Sequence, residues 1–186
     1  NSFIDTNIEA LFAEVTGQDV YCVNDADAAG MAEFKLGHGK DFKDGTVVFV
    51  AVGTGLGTAI FTHGQLLPNT EMGHIYLDNG EEGERYAADS VRKREELKWR
   101  QWGPRFSHYL KSMEDLLWPD LFILGGGASK KLEKCEKYLE LKTPVVAASL
   151  LNEAGIIGAA VYADTERKRA QAAARKARLA VRSQNK

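Results

Sequence analysis

The unbroken run Thr46-Val47-Val48-Phe49-Val50-Ala51-Val52 constrains this chain more than any other feature. Its residues are apolar and mostly β-branched, with no polar alternation. That pattern predicts a strand buried on both faces, which needs other layers of structure on each side. The run feeds directly into Gly53-Thr54-Gly55-Leu56-Gly57. The same device recurs later, where the buried-strand candidate Leu121-Phe122-Ile123-Leu124 runs into Gly125-Gly126-Gly127. Strands that end in glycine turns and alternate with helical segments predict an α/β domain. In such folds ligands gather at the carboxyl ends of the strands.

The remaining segments fit that plan. Residues 5–16 are expected to form a helix from the spacing of Ile8, Leu11, Phe12 and Val15, stopped at Gly17. Val20-Tyr21-Cys22-Val23 is expected as a short strand ending at Asn24-Asp25, and residues 26–36 as a helix capped by Gly37. Thr58 to Phe61 is the next strand, with a hairpin turn over residues 62–65. After a polar loop at 80–83, helices are expected over 84–97 and 99–118, the second carrying an apolar stripe and ended by Pro119. A helix from Ser129, a strand at 144–146 and a helix from Glu153 to about Ala163 complete the domain, residues 1–163. Residues 164–186 form a basic Ala/Arg-rich tail, helical or disordered.

A chain of 186 residues is long enough for a substantial core. A net charge of -2 gives no global argument for a nucleic-acid partner. No apolar run reaches the ~18 residues of a membrane span. Cys22 and Cys135 are far apart and are expected as two buried free thiols rather than a disulfide or metal pair. These features favour the cytoplasm. The chain opens with Asn1-Ser2-Phe3-Ile4 and no Met, which suggests a fragment, a processed chain or a trimmed one.

Several residues are suited to chemistry. Asn24-Asp25 lies where a strand becomes a helix; the carboxylate can take a proton from a substrate hydroxyl and the amide can hold others. The same pair is what caps a helix N-terminus. Asp27 is expected to face solvent. Gly53, Gly55 and Gly57 let successive backbone N–H groups form an anion nest, with the Thr54 hydroxyl beside them; without a Lys-Ser/Thr ending this is not a P-loop, and a plain glycine turn is the alternative. Glu71 and His74 can pair with vicinal hydroxyls, or be generic loop polarity. Glu84 can favour a helix start. Gly125-Gly126-Gly127 leaves room for a nucleotide, or is a tight strand-to-helix connection. Arg92, Lys93, Arg94, Lys98, Arg100 and Arg105, interleaved with Trp99 and Trp102, can neutralise a polyanion or form a solvated helix face.

The order of these motifs is more specific than any one of them. Asn24-Asp25-Ala26-Asp27-Ala28-Ala29-Gly30, Gly53–Gly57, Glu71-Met72-Gly73-His74 and Gly125–Gly127 together resemble the ROK family of sugar kinases over about residues 5–163. The resemblance implies the C-terminal lobe of a two-lobe enzyme with the actin-like ATPase (ribonuclease H-like) fold. It implies Asp25 as the base for the sugar 6-hydroxyl and Asn24, Glu71, His74 and Glu84 as sugar ligands. It assigns Gly53, Thr54, Gly55 and Gly57 to the phosphoryl donor and Gly125, Gly126 and Gly127 to a nucleotide. Many members carry a zinc site after the Gly-His; here Ile75-Tyr76-Leu77-Asp78-Asn79-Gly80 follows, so no structural zinc is expected. That difference, with Lys93-Arg94-Glu95-Glu96-Leu97 and Leu117-Trp118-Pro119-Asp120, resembles the polyphosphate glucokinase branch. The branch implies glucose or a related hexose as acceptor, polyphosphate or ATP as donor, Mg²⁺ with the donor, and a homodimer without nucleic-acid or membrane partners. The family's Asp-x-Gly-Gly-Thr phosphate turn does not occur in the sequence, so the chain alone is expected to be inactive or nearly so. The competing expectations are a non-catalytic sugar-sensing domain of a ROK-type transcriptional regulator, or a fragment with a structural role only.

Overall fold

The computed structural model describes residues 4–184, and side chains as far as residue 180. Its centre is a five-stranded mixed sheet in the order β3-β2-β1-β4-β5. The strands are β1 (Thr46–Val52), β2 (Leu56–Thr62), β3 (Gln65–Leu67), β4 (Leu121–Gly125) and β5 (Val145–Ala147). β1 pairs antiparallel with β2 and parallel with β4, with Ala51 opposite Gly125. The carboxyl ends of β1 and β4 therefore lie side by side, and their two glycine turns leave the sheet together.

The period of two along β1 explains its composition. Val48, Val50 and Val52 pack into one core, while Val47 and Phe49 pack into another on the opposite face. β4 alternates in the same way, Phe122 and Leu124 against Leu121 and Ile123. On the first face lie α3 (Gly83–Ala87), α4 (Asp89–Arg94) and α5 (Trp99–Leu117). α5 sends Trp102, Phe106, Tyr109, Leu110 and Met113 into the core, each essentially inaccessible, and burial of each such side chain contributes about 1.5–3 kcal/mol. Trp118 ends α5 in the left-handed conformation, with Pro119 beyond it.

On the second face lie α2 (Asp25–Leu36) and α7 (Ala154–Gln184). Small residues let them approach closely: a Cβ on Gly158 would fall 1.6 Å from the carbonyl oxygen of Ala28. α7 runs without interruption through residues 163 and 164. α1 (Ile8–Thr16) is capped by Asn7, whose side chain accepts the Ala10 N–H, and ends at Gly17 in the left-handed conformation.

Four expectations are corrected. Residues 20–23 form no strand; the Cys22 N–H is taken by the Glu9 side chain instead of a ladder partner. The expected helix over 84–97 is two short helices, because the backbone is extended at Ala88. The helix expected from Ser129 is instead α6 (Gly126–Ser129), a single turn followed by two short 3₁₀ turns. Cys135 is buried, and its thiol is pushed up to about 11 by burial, but Cys22 is exposed because its segment packs into neither core. The hairpin turn at 62–65 forms as expected, with His63 and Gly64 both at positive φ.

Candidate functional site

A cleft of about 510 Å³ opens at the carboxyl ends of β1, β4 and β5. Asp25, Gly53, Thr54, Gly55, Gly57, Glu71, Glu84 and the three glycines 125–127 all line it. Residues as far apart in sequence as Asp25 and Gly127 are thus brought to one surface by the register of the sheet.

The carboxylates gather near the β1–β2 connection. Asp25 begins α2, where its carboxylate is exposed at the cleft and its Oδ1 accepts the Ala26 N–H at 2.8 Å. Glu84 sits at the start of α3, and its Oε2 accepts the Leu56 N–H at 3.1 Å. Gly55 makes that contact possible, because a Cβ there would lie 2.2 Å from Glu84 Oε2. The turn is stapled by Ser90, whose N–H donates to the Gly53 carbonyl at 3.1 Å and whose hydroxyl donates to the Thr54 carbonyl at 2.6 Å. The glycine turn is therefore held from behind, and its open side faces the cleft: a Cβ on Gly53 would touch nothing within 4 Å.

The second glycine turn is built differently. Gly126 has a φ of 76°, and a Cβ there would meet the Val52 carbonyl oxygen at 2.5 Å. A glycine is needed for both conformation and space. Gly127, by contrast, has nothing within 4 Å of its would-be Cβ. Beyond it, Lys130 Nζ donates to Asn152 Oδ1 at 3.2 Å. Asn152 belongs to the β5–α7 connection, which the fully buried Glu33 of α2 anchors by accepting the Leu150 N–H at 2.6 Å and the Ser149 hydroxyl at 3.0 Å.

Two predicted residues stand apart from the cleft lining. The Asn24 oxygen accepts the N–H groups of Ala26 and Asp27 at 2.8 and 3.2 Å, so the capping role is realised. His74 closes a 3₁₀ turn, Met72–His74, with a side chain 57% exposed and hydrogen-bonded through Nδ1 to Glu82. That hydrogen bond raises the His74 pKa and holds the Glu82 carboxyl below its ordinary range.

Asp27 is corrected outright: it is 1% exposed, not solvent-facing. It lies on the side of α2 that packs inward, and its Oδ2 accepts the Asn69 N–H at 2.7 Å. Burial raises its pKa, against the lowering effect of that hydrogen bond, and Glu71 adds to the rise. Asp27 thereby braces the segment carrying Glu71 against the helix carrying Asp25.

The basic stretch is largely compensated. Arg92 and Lys93 pair with Asp89, and Arg94 and Arg105 with Glu95. Arg92 also lies over the Trp99 ring, 4.2 Å from its centroid. Sequence reasoning missed Glu82, Ser90, Glu33, Lys130 and Asn152. Only the Ser90 and Lys130 positions, next to recognised motifs, carried any signal.

Residues 2–90 match the family model of the ROK family. The chain is 46% identical over 167 residues to a polyphosphate glucokinase of Mycobacterium tuberculosis, an alignment covering 88% of this chain and 62% of that protein. Among solved structures, the inorganic polyphosphate/ATP-glucomannokinase of Arthrobacter sp. strain KM superposes with a TM-score of 0.79 at 42% identity, over 87% of this chain and 63% of that one. The ROK family glucokinase of Streptomyces griseus, solved with glucose and AMPPNP, gives 0.68 at 22% identity over 82% and 70% of the two chains, a likeness of fold. The chain thus spans less than two thirds of the first two relatives. These likenesses place the mixed sheet in the actin-like ATPase fold, and residues 2–90 carry the sequence pattern of the ROK family.

Proposed function

We propose that the protein is a hexokinase-type sugar kinase that transfers a phosphoryl group from polyphosphate or ATP to the 6-hydroxyl of glucose or a related hexose. The observation that carries this reading is the single cleft in which Asp25, Glu71 and Glu84 stand beside both glycine turns. A sugar offers hydroxyl donors, which carboxylates accept; a phosphoryl donor offers oxygens, which backbone N–H groups bind. The identity to a polyphosphate glucokinase supports the choice of substrates.

In this reading Glu71 and Glu84 hold the ring from one side, and Asn24 and His74 contribute from the second layer and the rim. Asp25 aligns the 6-hydroxyl and accepts its proton as the oxygen attacks the phosphoryl group. Gly53, Thr54, Gly55 and Gly57 receive the transferred phosphoryl, and Gly125, Gly126 and Gly127 the remainder of the donor. Catalysis is then mostly positioning and charge stabilisation, as in phosphoryl transfer generally. Mg²⁺ in such sites is held by one or two carboxylates together with donor phosphates, not by a protein cage. No group of three or more His, Cys, Asp or Glu suited to hold a metal ion forms among the described residues. The cleft carboxylates fit an ion that arrives with the donor: Asp25 would be the residue to hold it, and the ion would neutralise phosphate charge. A homodimer working in the cytoplasm completes the reading.

The test is formation of hexose 6-phosphate from glucose with polyphosphate or with ATP, measured for the chain joined to a family N-terminal lobe that carries the Asp-x-Gly-Gly-Thr turn, and for Asp25→Asn in the same protein; the chain without that lobe is expected to turn over little or not at all. Turnover in the first and its loss in the second is the expected result. Undiminished turnover in Asp25→Asn would remove the base from the mechanism.

A further inference from the structure

The cleft is electrically polarised. Its carboxylates, Asp25, Glu71 and Glu84, lie toward the β1–β2 connection, and Lys130 is the single cation among the described residues that line it. Lys130 follows the Gly125–Gly127 turn, so it stands on the β4–β5 side, away from the Glu84–Gly55 contact. It makes no ion pair with any described carboxylate; its Nζ rests on the neutral Asn152 oxygen. Asn152 is held in place from the core by Glu33, through the neighbouring Leu150 and Ser149. The adjacent Leu151, which also lines the cleft, keeps a positive φ of 48°, a conformation that surrounding structure must enforce. An exposed lysine whose hydrogen-bond partner is a neutral amide on a braced wall is open to an incoming anion. The basic residues at 92–105 differ, since most are already paired with Asp89 or Glu95.

Resting on the kinase reading, we infer that Lys130, with Asn152 as its holder, is an anion subsite for the part of a polyphosphoryl chain that is not transferred. A linear polyphosphate and the phosphates of a nucleoside triphosphate share that chemistry: successive anionic oxygens beyond the reacting phosphorus. The ammonium leaves Asn152 and bonds to phosphate oxygens, a charge-assisted contact stronger than the neutral one it replaces.

Four titrations followed by calorimetry test this on the full chain, as wild type, Lys130→Gln and Lys130→Arg. The titrants are glucose, tripolyphosphate, ATP and adenosine. Lys130 is exposed and outside both cores, so the variants keep the fold. The inference predicts tripolyphosphate and ATP binding weakened about tenfold in Lys130→Gln and largely restored in Lys130→Arg, with glucose and adenosine unchanged. Equal tripolyphosphate affinity in wild type and Lys130→Gln overturns it, as does a wild type that binds glucose but not tripolyphosphate. Weakening of ATP alone also overturns it, since the lysine would then serve the nucleoside. In all three cases glucose binding leaves the kinase reading standing. A wild type that binds neither glucose nor tripolyphosphate overturns both.

Discussion

The two ends of the cleft solve different recognition problems with different materials. At the β1–β2 end, beside the Gly53–Gly57 turn, the groups facing substrate include three side-chain carboxylates: Asp25 at the start of α2, Glu71 before a 3₁₀ turn and Glu84 at the start of α3. At the β4–β5 end they are backbone N–H groups of a glycine turn and one lysine. The difference teaches which substitutions each end tolerates. Side-chain chemistry can be erased without disturbing the fold. Backbone chemistry can be reached only by changing a glycine, and the fold then responds.

The largest expected effect breaks the carboxylate end at its chemical centre. Asp25→Asn keeps the shape and the Oδ1 that accepts the Ala26 N–H, but it cannot take a proton. With the chain joined to a family N-terminal lobe, turnover should fall by about 10²–10⁴-fold, with sugar affinity nearly unchanged by calorimetry. Next, Gly126→Ala strains the donor end. Its positive φ and the Val52 carbonyl at 2.5 Å from the new Cβ predict a stability loss of about 1–3 kcal/mol in denaturant unfolding, with weaker donor binding and little change in sugar affinity. Gly55→Ala probes the carboxylate end through its backbone. The new Cβ displaces Glu84 from Leu56, so sugar affinity should drop although no sugar ligand is altered.

The smallest effect is one of pH. The folded His74 pKa is raised above its ordinary 6.5, so its contribution is full below that value and fades as pH rises through the folded pKa. Glu82 is lowered from 4.5, so its contribution is full above 4.5 and is lost as pH falls through the folded value. The pair is therefore most favourable between these two ordinary values. An NMR titration should show the His74 pKa return toward ordinary in Glu82→Gln, with only slight loss of stability at this exposed site.

Much of the cleft was legible because its signals are local. An apolar run followed by glycines marks β1 and β4, and the position of the two glycine motifs at those strand ends marks the site, while Asp25, Glu71 and Glu84 were legible through the family resemblance. What was illegible depends on contacts between distant segments. Ile8, Leu11, Phe12 and Val15 correctly predict α1, yet all four remain 36–80% exposed: periodicity reports a helix, not what covers it. On α5 the stripe is buried from Trp102 to Met113, while Leu116 at its end is 68% exposed. Asp27 reads as a polar residue in a capped first turn, and only the fold turns it inward toward Asn69. Glu33 looks like a surface charge within a helix, but the β5–α7 connection supplies the N–H and hydroxyl that let it be buried. Val20–Val23 has strand composition without a described ladder partner. The donor-end cation was hidden for a similar reason: Lys130 gains meaning only when β5 brings Asn152 beside it.

The account stands most directly on the sugar site, and calorimetric titration of glucose into the chain and into Glu71→Ala tests it. It predicts saturable binding that weakens by about tenfold or more in the variant, the loss expected when a charged hydrogen-bond acceptor is removed. Equal binding by both proteins, or no binding by the wild type, would contradict it.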